Sequence, residues 1–269
     1  AQMFLDDRIW RRFCESVSLP SLRRLDISET FSSPEDLQTL LTNQGLSNLQ
    51  ELAALITTRA LQPETFQGRI SKSLVRLSLR QCRFTEQSSV AFAESPLFRQ
   101  LESLRIAPGN FGRHLNAIFK AGVVAKRMRV LQLANSGPNA RDILKLQDIF
   151  PNLETLAIDC SATAAKALAE LSLPKLRRLE LGDFKLTPAI VKALFRAPWF
   201  DQLETLNLRD LIVTDEAIAE LAKLVEGRSM KLRVLDLGQI ETAAARSMAD
   251  SDAFSNLEFL GFSMDPVGK

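Results

Sequence analysis

The sequence has no tyrosine, one histidine, two tryptophans and three cysteines among its 269 residues. A single histidine excludes a metal site built from several histidines. His114 stands in Gly-Arg-His-Leu at the start of a helix-like stretch, so we expect a solvated surface residue there and predict no histidine-based catalytic triad.

Net charge and long apolar runs are also nearly absent. Lys+Arg 34 against Asp+Glu 32 gives a formal net charge of +2, so affinity for nucleic acid or an acidic membrane would need a local cluster of charge. No apolar run approaches the roughly 18 residues of a membrane span. The cysteines, Cys14, Cys82 and Cys160, lack the spacing of a disulfide framework or a CxxC metal site. These features favour a reducing compartment and predict a cytoplasmic protein without a membrane segment.

What the chain does have is internal repetition. Ser18-Leu-Pro-Ser-Leu-Arg-Arg-Leu25 recurs as Ser172-Leu-Pro-Lys-Leu-Arg-Arg-Leu179. Both copies contain the frame L-x-x-L-x-L, which occurs ten times with a mean spacing of about 26 residues. The ten frames begin at Leu22, Leu49, Leu74, Leu101, Met128, Leu153, Leu176, Leu203, Leu232 and Leu257.

Each frame predicts one short strand, because its second and third apolar residues, such as Leu77 and Leu79, point to the same side. Between the frames lie stretches with helical periodicity, notably Pro34 to Leu41, Pro188 to Phe195 and Thr214 to Val225. Proline suits the first position of a helix, Thr214 an N-cap, and Gly227 a helix end. A strand-helix unit cannot bury its apolar face alone, so we expect consecutive units to stack with parallel strands.

This pattern resembles the leucine-rich repeat family, in particular its ribonuclease-inhibitor-like branch, over essentially the whole chain. The segment Leu77-Ser-Leu-Arg-Gln-Cys-Arg-Phe-Thr85 fits the turn of that family best, with Cys82 at its usual Cys/Asn position. The resemblance implies an α/β fold: a right-handed solenoid, or horseshoe, of about ten strand-helix repeats. Its parallel sheet would form the concave face and its helices the convex face.

The domain prediction is a single leucine-rich repeat domain over 1–269, with ten repeats in 22–262 and a tail in 263–269. Residues 1–21 place Leu5, Ile9, Trp10, Phe13 and Val17 at roughly helical spacing. Two interpretations stay open for this segment. Either Trp10 and Phe13 form an N-terminal cap, or the chain begins inside a repeat because it was cut from a longer protein.

Motifs that would carry catalysis or metal binding are weak. Ser172-Leu-Pro-Lys175 has an S-x-x-K spacing, but its Ser-Leu-Pro belongs to the repeat. Asp6-Asp7 and Asp250-Ser-Asp252 show no further oxygen ligands. Gly109-Asn-Phe-Gly112 lacks the pattern of a phosphate-binding loop, and Cys82 and Cys160 stand where small apolar residues pack. The sequence predicts no enzyme, no cofactor and no metal.

Binding residues are expected among the outward positions of the strands, because proteins of this family usually bind through the concave face. These are the third, fifth and seventh positions of each frame. The candidate partner-binding residues are Arg76, Ser78, Arg80, Arg105, Gln132, Arg178, Asn207 and Arg209. Arg76, Arg80 and Arg105 lie on adjacent predicted strands and form a basic patch suited to an acidic protein or peptide. Arg178, Glu180, Arg209 and Asp236 alternate in sign, which predicts that the second half of the face neutralises itself.

The leading functional prediction is therefore a non-catalytic module that binds a protein or peptide on its concave face. One alternative is the substrate-recognition arm of a larger protein, such as a ubiquitin-ligase receptor or a bacterial effector. A lesser alternative is nucleic-acid binding through the arginines and the run Lys126-Arg127-Met-Arg129. Against that alternative, the predicted face offers only Phe259 as an aromatic platform for stacking bases. The oligomeric state is left open.

Overall fold

The computed structural model describes residues 7–56, 59–68, 70–135, 137–225, 228, 230–240 and 256–264. The chain divides into two compact units. The first unit comprises Ala1–Ser136 with Asp148–Phe150, and the second comprises Gly137–Gln147 with Pro151–Lys269. The single-domain assignment stays a prediction.

Parallel strands dominate the first unit. Its strands are β1 Arg24–Ser32, β2 Glu51–Ile56, β3 Ala60–Leu61, β4 Arg76–Arg80, β5 Arg83–Phe84, β6 Ser103–Ile106 and β7 Val130–Leu133. Five of them form a sheet in the order β1-β2-β4-β6-β7, and β3 pairs with β5. Its helices are α1 Asp7–Ser16, α2 Pro34–Thr42, α3 Glu86–Glu94, α4 Pro96–Gln100 and α5 Leu115–Lys120.

The second unit repeats the arrangement. Helices α6 Ala140–Ile143 and α7 Leu146–Ile149 precede its first strand, and the last two residues of α7 belong to the first unit. Its strands are β8 Thr155–Asp159, β9 Arg178–Gly182, β10 Lys185–Leu186, β11 Thr205–Val213, β12 Val234–Ile240 and β13 Phe259–Met264. They pair in parallel in the order β8-β9-β11-β12-β13, with β10 on β11. Its remaining helices are α8 Ala162–Leu168, α9 Pro188–Phe195 and α10 Asp215–Val225.

The register of the strands follows the sequence frames. In the first unit the third positions of five successive frames pair with one another: Arg24, Glu51, Arg76, Ser103 and Val130. In the second unit the same holds for Thr155, Arg178, Thr205, Val234 and Phe259. The predicted parallel, stacked strand-helix organisation is thus confirmed within each unit.

In the second to ninth frames the apolar positions form the core, as predicted, whereas Leu22 and Leu25 of the first frame are only half-buried and Leu260 and Phe262 of the tenth are 38% and 42% exposed. Leu77 and Leu79 of β4 are 1% and 0% exposed. In the first unit a cluster of phenylalanine rings packs between the sheet and the helices, and its Phe66 and Phe92 centroids lie 4.5 Å apart. In the second unit the buried Trp199 donates from its indole N–H to the Leu168 carbonyl oxygen at 3.2 Å. Burial of these apolar side chains is the main term that stabilises each stack.

Helix starts agree with the sequence signals. Pro34 and Pro188 occupy the first turns of α2 and α9, and Ser33 forms a capping box with Asp36. The Thr214 hydroxyl accepts a hydrogen bond from the Ala217 N–H at 3.2 Å. Gly227 lies outside the described residues. Helix length is irregular, from four residues in α6 to eleven in α10. Among the described residues between β2 and β4, the helical element is a 3-10 helix, Pro63–Phe66.

Helix α1 differs in part from its prediction. Trp10 is buried as expected, but Ile9 and Phe13 are 59% and 38% exposed. In α1 it is Cys14 that is fully buried instead. The Cys14 backbone carbonyl oxygen accepts a hydrogen bond from the Asn43 side-chain amide at 3.0 Å. The apolar spacing therefore located the helix but not the face that it buries. Leu5 lies outside the described residues.

Candidate binding surface

The outward positions of the first unit's strands lie side by side on the sheet. Alternation along a strand places the third, fifth and seventh frame positions on the face opposite the buried leucines. Register then aligns Arg76 of β4 with Ser103 of β6, and Ser78 of β4 with Arg105 of β6. Arg105 is consequently a diagonal neighbour of both Arg76 and Arg80.

A depression of about 590 Å³ opens on this face, and we call it the arginine depression. Five of the eight predicted binding residues line it: Arg76, Ser78, Arg80, Arg105 and Gln132. Its other lining residues are Arg24, Asp26, Ser28, Glu51, Ala53, Leu77, Ser103, Ala107, Pro108, Ala134 and Asn135. Small side chains therefore form its floor, and charged side chains rise from both ends of β4.

Two of the four arginines are held by carboxylates of the first two strands. The Arg24 guanidinium lies 3.5 Å from Glu51 and 3.8 Å from Asp26. Arg80 Nη1 lies 3.0 Å from a carboxylate oxygen of Glu29 and donates to the Ser28 carbonyl oxygen at 3.4 Å. All three ion pairs are exposed to solvent at least in part, so each contributes little to stability, but together they orient the two guanidinium groups.

The other two arginines have no such partner. Within the described parts of the chain, the exposed side chains of Arg76 and Arg105 form no ion pair and no hydrogen bond. Arg76 is paired in register with Glu51, as the frames predicted, but the Glu51 carboxylate forms its ion pair with Arg24. Two unpaired guanidinium groups thus face the depression, and their planar donors suit carboxylates.

Asp26 is fixed as an anion at the opposite end. The Ser28 hydroxyl donates to its carboxylate at 2.7 Å and the Ser28 N–H at 3.1 Å. These hydrogen bonds, with Arg24 and Arg80 nearby, lower the pKa of Asp26 below its ordinary value. The depression therefore carries two carboxylates and Arg24 along β1 and β2, and only arginines among its charged groups along β4 and β6.

The remaining three predicted residues lie on the second unit's sheet. Arg178 starts β9, while Asn207 and Arg209 lie on β11, where the Asn207 side-chain oxygen accepts from the Arg209 N–H at 2.9 Å. Register places Asn207 between Glu180 and Asp236. Among the residues described in this unit, Arg178, Glu180, Arg209 and Asp236 form no ion pair with one another. The charges alternate without direct ion pairs among these four residues, and the neutralisation of this face stays a prediction.

Sequence reasoning missed Glu29. It follows the seventh position of the first frame and belongs to β1, a nine-residue strand whose pairing shifts between Ile27 and Phe31. Because the frame ends at Ser28, the sequence carried no signal for this contact, which depends on the length of β1 in the structure. Leu55, a seventh-position residue, was expected on this face but is 7% exposed, so it belongs to the core.

The cysteine thiols that could act as nucleophiles are buried. Burial raises the pKa of Cys82 to about 12, and burial with Asp159 and Asp183 nearby does the same for Cys160. These thiols are protonated at neutral pH and are poor nucleophiles. In the described parts of the chain, no three His, Cys, Asp or Glu side chains are grouped so as to hold a metal ion. Asp6, Asp250 and Asp252 lie outside the described residues.

The basic run proposed for nucleic acid is partly neutralised. Arg127 Nη2 lies 2.8 Å from a carboxylate oxygen of Glu102. Lys126 and Arg129 also have partners. No described helix is both long and apolar enough to cross a membrane.

Comparison with known proteins gives little beyond this geometry. No protein-family model matches the sequence, and no curated protein matches it. A chain in the crystal structure of the Rad7 and Elc1 complex in yeast is similar in structure, with 17% sequence identity and a TM-score of 0.38. The similarity covers 85% of this chain and 72% of that chain. At this level it supports no conclusion about function.

Proposed function

We propose that this chain is a non-catalytic interaction module that binds a protein or peptide through the arginine depression. The observation that carries the proposal is the pair of unpartnered guanidinium groups, Arg76 and Arg105, on a floor built from adjacent parallel strands. A sheet packed on buried leucines holds the backbone positions of these two residues at a fixed spacing. Such preorganisation reduces the entropy lost when a partner binds.

Three finer features belong to the same proposal. They are the leucine-rich repeat horseshoe of about ten repeats, its right-handed course, and the ribonuclease-inhibitor-like branch. The matching register of third positions in each unit supports a repeated strand-helix plan. The irregular helix lengths are the feature that fits that branch least well.

Site-specific photo-crosslinking tests the proposal. A photoreactive residue replaces Ser78, at the fifth position of its frame, and in a second variant Ala157, which holds the fifth position of its frame in the second unit. We expect discrete crosslinked protein bands from a cell extract at position 78, and few at position 157. The bands should disappear when Arg76→Glu and Arg105→Glu are added.

Two results would contradict the proposal. Equal crosslinking at both positions would indicate nonspecific contact with the sheet. Bands at position 78 that survive the double reversal would show that the arginines do not select the partner. Circular dichroism of each variant establishes that its fold is retained.

A further inference from the structure

The charges of the arginine depression are separated along the sheet. Its lining carboxylates, Asp26 and Glu51, belong to β1 and β2. Its lining residues on β4, β6 and β7 include Arg76, Arg80 and Arg105 and no carboxylate. Arg24 on β1 offsets one of the two carboxylates, so a ligand with negative charge is attracted mainly to the β4 and β6 side.

The two unpartnered arginines are set at a distance that an extended peptide reproduces. Arg76 pairs in register with Ser103, and Arg105 lies two residues beyond Ser103 on the adjacent strand. Strands about 4.8 Å apart with a rise of about 3.3 Å per residue place these two backbone positions about 8 Å apart. Side chains at positions i and i+2 of an extended peptide lie about 6.6 Å apart on one face. Flexible arginine side chains accommodate the difference.

The floor around these arginines permits close approach of a backbone. Ser78 and Ser103 occupy the two register positions between Arg76 and Arg105, and Ala107, Gln132 and Ala134 lie beyond Arg105. The alanines offer no bulk, while the serines and the glutamine offer uncharged hydrogen-bonding groups. Peptide N–H and C=O groups can be satisfied by such side chains, and buried polar groups of a bound peptide require that satisfaction.

We infer that the arginine depression recognises an extended acidic peptide segment with carboxylates at positions i and i+2, bound by Arg76 and Arg105. This deepens the proposed function and rests on it. Arg80 is not a primary anchor, because the Glu29 carboxylate already occupies it at 3.0 Å. Glu29 belongs to the chain itself and stands where a third ligand carboxylate would bind, so it competes with the ligand.

Fluorescence anisotropy with defined peptides tests this inference. The probe is a fluorescein-labelled twelve-residue peptide in which Asp and Ser alternate, and its control has Asn in place of every Asp. A longer peptide with the same number of aspartates, each separated by three serines, tests the spacing. At low salt we expect the alternating peptide to bind at least tenfold more tightly than either of the other two.

Charge-reversal variants assign the binding to particular arginines. Arg76→Glu with Arg105→Glu should weaken binding of the probe at least tenfold. Arg99→Glu with Lys120→Glu is the matched control, since both side chains are exposed and lie in α4 and α5 of the same unit. It should weaken binding less than threefold. Equal losses in the two double variants would show that only net charge matters and would overturn the inference.

The role of Glu29 has its own matched pair. Glu29→Gln frees Arg80, whereas Glu51→Gln removes the same charge beside Arg24. We expect Glu29→Gln to tighten binding at least threefold and more than Glu51→Gln does. An equal gain in both variants would show that Glu29 does not compete with the ligand for Arg80.

Two further outcomes separate this inference from the proposed function. If the acidic probe does not bind while crosslinking at position 78 still depends on Arg76 and Arg105, the proposed interaction module is supported and the inferred ligand class is wrong. If a fluorescein-labelled oligouridine of twelve nucleotides binds more tightly than the acidic peptide and loses affinity in the same variant, the ligand is a nucleic acid and this inference is overturned.

Discussion

The two units share one buried frame but differ on their outward faces. Leu77 in the first unit and Leu179 in the second hold equivalent frame positions, and each is 1% exposed. The outward residues beside them diverge. The first unit gathers three arginines on β4 and β6, while the second mixes Arg178 and Arg209 with Glu180 and Asp236.

This difference shows that the repeat constrains only half of each strand. Burial selects the leucine positions, because a polar or small residue there would leave a cavity or an unsatisfied group. The outward positions contact solvent and can change with little effect on stability. Binding specificity can therefore vary between units that have the same architecture.

The largest expected effect tests what the units share. Leu77→Asp and Leu179→Asp each place an unpaired carboxylate in the core, so each should lower the free energy of unfolding by several kcal/mol. Glu180→Ala, one residue beyond Leu179 and exposed, should change it by no more than about 0.5 kcal/mol. Urea denaturation followed by circular dichroism measures all three.

Equal midpoints for Leu179→Asp and Glu180→Ala would contradict the register of β9. If only one of the two leucine variants were strongly destabilised, the common frame would not explain both units. Separate transitions for the two units are compatible with either outcome, because each variant is compared with the wild-type transition of its own unit.

Sequence periodicity was sufficient to predict the strands, because the buried apolar positions recur once per strand. Third-position pairing from Arg24 to Val130 and from Thr155 to Phe259 follows the predicted frames without a shift. The same periodicity indicated which arginines lie together on the sheet, since alternation and register together decide which side chains meet on an open face.

Pairwise electrostatics could not be predicted in the same way. Arg80 and Glu29 lie 51 residues apart in sequence, and only a local extension of β1 brings them together. Conversely, Arg76 and Glu51 are level but unpaired, because Arg24 competes for the same carboxylate. Exposed ion pairs differ by so little energy that periodicity alone does not select among them.

A smaller, pH-dependent effect compares a thiol in each unit. Cys82 and Cys160 both follow a strand, and the pKa of each is raised from an ordinary 9.0 to about 12. A raised pKa stabilises the fold fully below pH 9, and this contribution is lost as pH rises from 9 towards 12. We expect thiolate absorbance near 240 nm to stay low in the folded protein at pH 10 and to appear on unfolding.

Salt should distinguish these two thiols. Burial alone raises the pKa of Cys82, whereas the carboxylates of Asp159 and Asp183 add to burial at Cys160. Single-cysteine variants titrated in 1 M NaCl should show a lower pKa for Cys160 and little change for Cys82. A thiolate visible at pH 8 in either variant would contradict its burial.

The smallest effect concerns ion pairs at the entrances of the strands. Arg177 pairs with Glu204 in the second unit and Arg127 with Glu102 in the first, and every one of these side chains is more than a third exposed. Solvent screens such pairs, so a double-mutant cycle of Arg177→Gln and Glu204→Gln should give a coupling below about 1 kcal/mol. The cycle at Arg127 and Glu102 should agree with it and both should fall at 1 M NaCl. A coupling well above that limit in one unit alone would mean that its strand entrances, and not only its buried frame, hold the stack together.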